Sequence, residues 1–204
     1  MTADELADLI ERMAERVLAE REALNRLDAA IGDGDHGSSI SGALALAMQE
    51  INMLEEPSLH AIWLTTAKAL LNGMGGASGA IFGTFFLKGA AQLKDVERIS
   101  QADMTELLQA GLAGVQARGR ATVGDKTMVD ALAPAVAAFA AAVDFPSAWR
   151  AAAGAAATGA ESTRDMLARQ GRAKYLGERA LGHVDPGASA IALMFAAAAD
   201  AYAQ

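Results

Sequence analysis

The chain has 204 residues, 52% hydrophobic and 21% charged, a balance that excludes a disordered polymer and suits one ordinary folded domain spanning residues 1–204. A net charge of −8 argues against a duplex nucleic-acid binder, and the absence of cysteine excludes disulfides, zinc thiolates, iron–sulfur clusters and a thiol nucleophile. Fifty alanines against 6 Phe, 2 Tyr and 2 Trp point to an all-α protein, because alanine is the best helix former and strands favour residue types that are scarce here.

The first segment, MTADELADLIERMAER, is acidic and amphipathic, with no basic stretch ahead of an apolar core, so it is no signal peptide. Thr2 and Glu5 have capping-box spacing, and Leu6, Ile10, Met13 and Val17 share a face, which predicts a helix to about Asn25. A second helix is predicted from Ser38 to about Leu54, ending before Pro57. Ser58 caps a third, through Leu71, closed by Asn72-Gly73, and a fourth begins in Gly75–Gly79 and reaches about Leu93. Asp103 and Glu106 read as a capping box for a fifth, to about Ala117. The sixth runs from about Thr127 to Val143 with a kink at Pro134, and Ser147 caps a seventh, to about Arg169. Asp185-Pro186 is a cap followed by a first-turn proline, opening the eighth, Gly187 to about Tyr202.

One uncharged run, Ala69–Leu87, reaches membrane-spanning length, but Asn72, Ser78, Thr84 and five glycines match lipid poorly. No membrane or nucleic-acid partner is expected, and the expected compartment is the cytoplasm.

Ile31-Gly-Asp-Gly-Asp-His-Gly37 is the most unusual stretch. It satisfies G-x-G-x-x-G, yet a dinucleotide fingerprint needs a preceding strand and bare amides, and here helix precedes and Asp33 and Asp35 intervene. An EF-hand fails because the twelfth position, counted from Asp33, is Leu44 instead of a bidentate Glu. Asp28, Asp33 and Asp35 remain, three carboxylates within eight residues. Held about 5 Å apart they repel by roughly 3 kcal/mol per pair, so they need protonation, spacing or a hard cation such as Mg²⁺. His36-Gly37-Ser38-Ser39 would follow as a helix start whose amides suit an anion. Two readings stand side by side: a metal–phosphate site, or an Asx-rich turn whose aspartates cap a helix.

Gly75-Gly76-Ala77-Ser78-Gly79 is a second glycine turn opening a helix, with close helix packing as the plainer account of Gly79 and Gly83. Gly119–Thr127 narrowly misses G-x-x-x-x-G-K-[ST], since Asp125 separates Gly124 from Lys126, and Lys126 reads as a solvated or locally paired charge. Gln170–Arg179 is a basic, glycine-punctuated loop, exposed by default, whose arginines suit phosphate or adenine.

Together, AAIGDGDHG, GGASGAIFGTFF, GDKTMVDALAPA and RGRAKYLGERALGHVDPGA, in this order and spacing, closely resemble the nucleotide-binding L subunit of dihydroxyacetone kinases, over essentially the whole chain. The resemblance implies a single-domain barrel of eight amphipathic, mostly antiparallel helices with ADP or ATP at one end. It implies two Mg²⁺ on Asp28, Asp33 and Asp35, and a phosphate cradle of His36, Gly37, Ser38, Ser39, Ala77 and Ser78. The purine and its surroundings map onto Gly119, Met128, Arg172, Asp185, Pro186 and Gly187. Of these, the residues alone point only to the metal and phosphate parts.

By the same resemblance the chain donates a phosphoryl group, with no protein nucleophile of its own, to dihydroxyacetone held covalently on a histidine of a separate K subunit. Little activity is therefore expected from this chain alone. Ser39-Ile40-Ser41-Gly42 and Ala80-Ile81-Phe82 depart from the common family pattern, which bears on the phosphate source and the sugar. The favoured branch keeps ADP resident and rephosphorylates it from a phosphohistidine-carrying phosphotransferase-system subunit. The alternatives are an ATP-dependent kinase for dihydroxyacetone or a related ketose or tetrose, and a non-catalytic nucleotide sensor. A homodimer is compatible with all three.

Overall fold

The computed structural model describes residues 1–203. Nine α-helices follow one another: α1 (Ala3–Ala19), α2 (Arg21–Ile31), α3 (His36–Ile51), α4 (Leu59–Gly73), α5 (Gly76–Ala90), α6 (Gln101–Gly119), α7 (Val129–Ala141), α8 (Phe145–Ser162) and α9 (Pro186–Ala201). Tight 3₁₀ turns cover Ala91–Leu93, Thr163–Asp165 and Arg172–Ala180, and no strand occurs among the described residues.

Helices α3 to α9 each pack on the next, and α1 fits between α9 and α3, so eight helices close a ring. Connections of two or three residues make α4–α5 and α7–α8 antiparallel hairpins. The ninth, α2, lies outside the ring against α3, α9 and the Arg172–Ala180 turn. Sequence periodicity had joined it to α1. The break falls at Glu20, whose φ of −100° and ψ of 12° leave the helix. Inside Glu20-Arg21-Glu22 no apolar residue marks the change of direction.

Other helix starts follow from their caps. Thr2 and Glu5 form the predicted reciprocal box, at 2.7 and 3.3 Å. Ser100, not Asp103, caps α6; Asp103 is the third residue of that box and bonds back to Ser100. Asp144, not Ser147, caps α8, taking the Ser147 amide at 2.7 Å. Overlapping Ser/Asp pairs three residues apart made both frames plausible from sequence. Helix α8 also stops at Ser162, short of Arg169.

The barrel interior is full. Trp63, Phe85 and Phe86 pack from α4 and α5, and Trp149, Phe139 and Phe195 pack from the opposite side. A void of about 20 Å³ lies between the two groups. Alanines 148, 152, 156 and 160 of α8 and 188, 190, 197 and 198 of α9 are buried, which explains the alanine-rich composition, since small side chains let helix axes approach. Gly79 and Gly83 serve the close α4–α5 approach as predicted: a Cβ on Gly83 would strike Leu71. Among the described residues no helix is long and apolar enough to cross a membrane.

Candidate functional site

The α2–α3 loop, the α4–α5 turn, the α6–α7 loop and the segment between α8 and α9 surround one cavity of about 490 Å³. Its volume lies in the range of small-molecule sites.

On one wall the acidic loop folds back on itself. Asp28, in the last turn of α2, accepts the amides of Gly34, Asp35 and His36 on a single oxygen, at 2.9, 3.0 and 3.2 Å. The reversal requires Gly34 at φ +81°, a region costly for other residues. One carboxylate oxygen from each of Asp28, Asp33 and Asp35 then lies within 4.8 Å of the others. At that separation repulsion is about 3 kcal/mol per pair. Arg172 relieves part of it through an ion pair with Asp33. An oxygen-only donor set of this size fits a hard divalent cation.

Two of the first three amides of α3 are taken as well. The His36 amide goes to Asp28, the Ser38 amide to Asn25 Oδ1 at 3.0 Å, and the Ser39 amide to the Asp35 carbonyl at 2.9 Å. His36 is buried against Phe82, and Nε2 has no partner. Burial lowers its pKa, partly opposed by Asp28, so the ring is neutral at pH 7.

The start of α5 is different. The amides of Gly76, Ala77 and Ser78 find no acceptor among the described residues, and Gly76 turns into the helix at φ +66°. Free amides at a helix N-terminus attract an anion. No charged side chain of α5 competes, because its first turn carries none.

The far wall joins Met128 to Asp185-Pro186-Gly187, and a Cβ on Gly187 would stand 3.5 Å from Met128 Cβ. Asp185 caps α9 by taking the Ala188 amide at 2.8 Å. Burial, aided by nearby Asp130, pushes its carboxyl up to about 7, against the pull of its amide bonds and Lys126.

Of the sequence-predicted residues, Asp28, Asp33, Asp35, His36, Ser39, Ala77, Ser78, Gly119, Met128, Arg172, Asp185, Pro186 and Gly187 line this cavity. Gly37 and Ser38 do not; they face α2, where Gly37 lies against the Arg21 carbonyl and Ser38 bonds Asn25. Lys126 departs from its solvated reading: it is 1% exposed, with Nζ on the Thr163 and His183 carbonyls. Ile81, Phe82 and Val115 also line the cavity. Their helical spacing is that of core residues, so no signal in the sequence separates them.

A family model for the DAK2 domain matches residues 30–200. The ADP-binding subunit DhaL of the PEP-dependent dihydroxyacetone kinase of Escherichia coli (strain K12) is 34% identical over 198 residues, 95% of this chain and 94% of that protein. The ADP-binding subunit DhaL of the PTS-dependent dihydroxyacetone kinase of Lactococcus lactis subsp. lactis (strain IL1403) is 34% identical over 195 residues, covering 96% and 95%. The dihydroxyacetone kinase from C. freundii, solved in complex with AMP-PNP and Mg²⁺, superposes with a TM-score of 0.77 at 33% identity. That match covers 95% of this chain but only 33% of the solved one.

Proposed function

Because the chain belongs to the DAK2 domain family, we propose that it is the ADP-binding subunit of a PEP-dependent dihydroxyacetone kinase, passing a phosphoryl group from bound nucleotide to dihydroxyacetone on a separate K subunit. The observation that carries this reading is the pairing of two unlike features in one cavity: three clustered carboxylates on one wall and an open helix start on another. The Escherichia coli and Lactococcus lactis relatives, matched over nearly their full length, are ADP-binding subunits.

Asp28, Asp33 and Asp35 would hold two Mg²⁺, whose charge would neutralise the phosphate oxygens during in-line transfer. The amides of Gly76, Ala77 and Ser78 bind the terminal phosphate oxygens, with the α5 dipole favouring the negative charge. Arg172 lies beside Asp33 and within reach of Gly76, so it orients the phosphates between the two walls. Met128, Gly119 and the Asp185–Gly187 turn enclose the base. Neutral His36 against Phe82 closes the inner end without adding a charge. The phosphoryl source is a phosphohistidine of a phosphotransferase-system partner, with ADP remaining bound through the cycle.

Native mass spectrometry of the protein as purified tests the resident-nucleotide part. A mass excess of ADP plus two Mg²⁺ supports it, whereas a bare chain that binds added Mg·ATP supports the exchanging branch. With the cognate K subunit, Asp33→Asn is expected to abolish transfer; unchanged transfer overturns the assignment of the metal site.

A further inference from the structure

Lys126 combines features that are costly singly. Its backbone is left-handed, at φ +60°, a conformation that costs a non-glycine residue about 1–2 kcal/mol. Its ammonium is withdrawn from water, which is unfavourable unless every proton finds a partner. Two protons do, at 2.6 Å each, on the carbonyls of Thr163 and His183, which lie 37 and 57 residues further along the chain. Asp130, Asp165 and Asp185 supply favourable charge and Arg164 opposes it; burial is still the larger influence and lowers the pKa.

The loop that presents Lys126 is fixed from within. Asp130 takes the amides of Gly124 and Thr127, at 2.5 and 2.7 Å, and Asp125 takes the Thr122 amide at 2.8 Å. Those amides, which a phosphate loop would direct to its ligand, are spent on carboxylates. The opposite segment is fixed as well: the Asp185 amide donates to Thr163 Oγ1 at 2.8 Å, and Thr163 is fully buried. Lys126 therefore bridges two braced pieces of chain. One continues into Met128 and the other carries Arg172 and Asp185-Pro186-Gly187.

We infer that Lys126 is a positioning residue for nucleotide binding, a clamp that sets the distance between the Met128 wall and the Asp185–Gly187 wall and so the width of the slot for base and ribose. The inference rests on the nucleotide reading of the cavity. Lys126 borders the cavity, but it is not read as a phosphate ligand, because two of its three N–H bonds are committed to backbone carbonyls and little of it is exposed. The clamp and the ligand roles make different forecasts: losing the clamp weakens every nucleotide alike, while losing a phosphate contact weakens only those with the phosphate concerned.

The test is calorimetric titration of ADP with Mg²⁺, and of AMP, into the wild-type protein and into Lys126→Met. The clamp predicts that both affinities fall by the same factor, about tenfold or more. It also predicts faster amide hydrogen exchange confined to residues 120–128 and 163–187 in the nucleotide-free variant. Propylammonium, which replaces the missing side chain beyond Cβ, should restore ADP affinity to Lys126→Ala. Unchanged affinity in a folded Lys126→Met, or a loss for ADP without one for AMP, overturns the inference. Where neither of these variants folds, Lys126→Arg decides: it keeps the positive charge but cannot place one ammonium on both carbonyls, and equal weakening of ADP and AMP supports the clamp while wild-type affinity for both refutes it. A wild-type protein that binds neither nucleotide refutes the reading of the cavity itself, which the variants leave intact.

Discussion

Two helices, α3 and α5, begin in glycine-rich turns on the same cavity, and they treat their free amides in opposite ways. At the start of α3 the chain supplies its own anion: Asp28 collects three amides, and Asn25 and Asp35 take those of Ser38 and Ser39. What that turn offers outward is carboxylate, and so a place for a cation. At the start of α5 no acidic residue stands in the first turn, and the amides stay open for an anion from elsewhere. One motif type thus yields opposite charge preferences, and the difference lies in a few aspartates. A metal-bound phosphate ester is the kind of ligand that would satisfy both.

The largest effect should come from emptying the α3 turn. Asp28→Ala leaves the amides of Gly34, Asp35 and His36 without their acceptor, a loss partly offset by the relief of two carboxylate repulsions. Unfolding should therefore begin a few degrees lower without any ligand, and Mg²⁺-dependent ADP binding should vanish. Gly76→Ala tests the α5 turn: about 1–2 kcal/mol of left-handed strain should lower Tm by several degrees and weaken ADP more than tenfold. Binding of Mg²⁺ alone, read by calorimetry, should not change in that variant. Equal damage to both ligands would erase the distinction between the turns.

A pH series gives a smaller effect. The Asp185 carboxyl rises from 3.8 to about 7 on folding, so the folded state retains a proton that the unfolded chain releases. Its contribution to stability is complete below the lower value and is lost as pH rises through the upper one. His36, held below its ordinary value by burial, works the other way, its contribution lost as pH falls. Asp185→Asn keeps the α9 cap and removes the first effect alone. The slope of Tm against pH between about 5 and 7 should therefore become more positive, and an unchanged slope would refute the burial of that carboxyl. The smallest stability change belongs to Arg172→Ala, since exposed ion pairs contribute about 0–1 kcal/mol. Its ligand effects should have opposite signs, with tighter Mg²⁺ alone and weaker ADP.

The acidic glycine loop stood out in the sequence, yet its residues alone left a metal–phosphate site and an Asx-rich turn side by side, and the α5 turn read more plainly as a turn with helix packing. Helix identity was legible from alanine and from 3.6-residue periodicity, and the predicted eight-helix barrel corresponds to the ring of α1 and α3 to α9. The separate α2 was not, because its break lies among charged residues that satisfy helix and turn equally. The enclosure of Lys126 was also hidden, since its partners are backbone carbonyls far along the chain, and carbonyls leave no trace in a sequence. Nor could spacing reveal that most of the first α3 amides were already taken; Asn25, which claims one, looks like an ordinary helical residue until the fold brings it beside Ser38.

Titration of ADP into the wild-type protein, with Mg²⁺ and then in its absence with chelator, tests the central claim most directly. Tight binding with the metal and a loss of at least a hundredfold without it is the predicted result, because the carboxylates of the α3 turn repel bare phosphate. Equal affinity under both conditions, or none under either, would contradict the account.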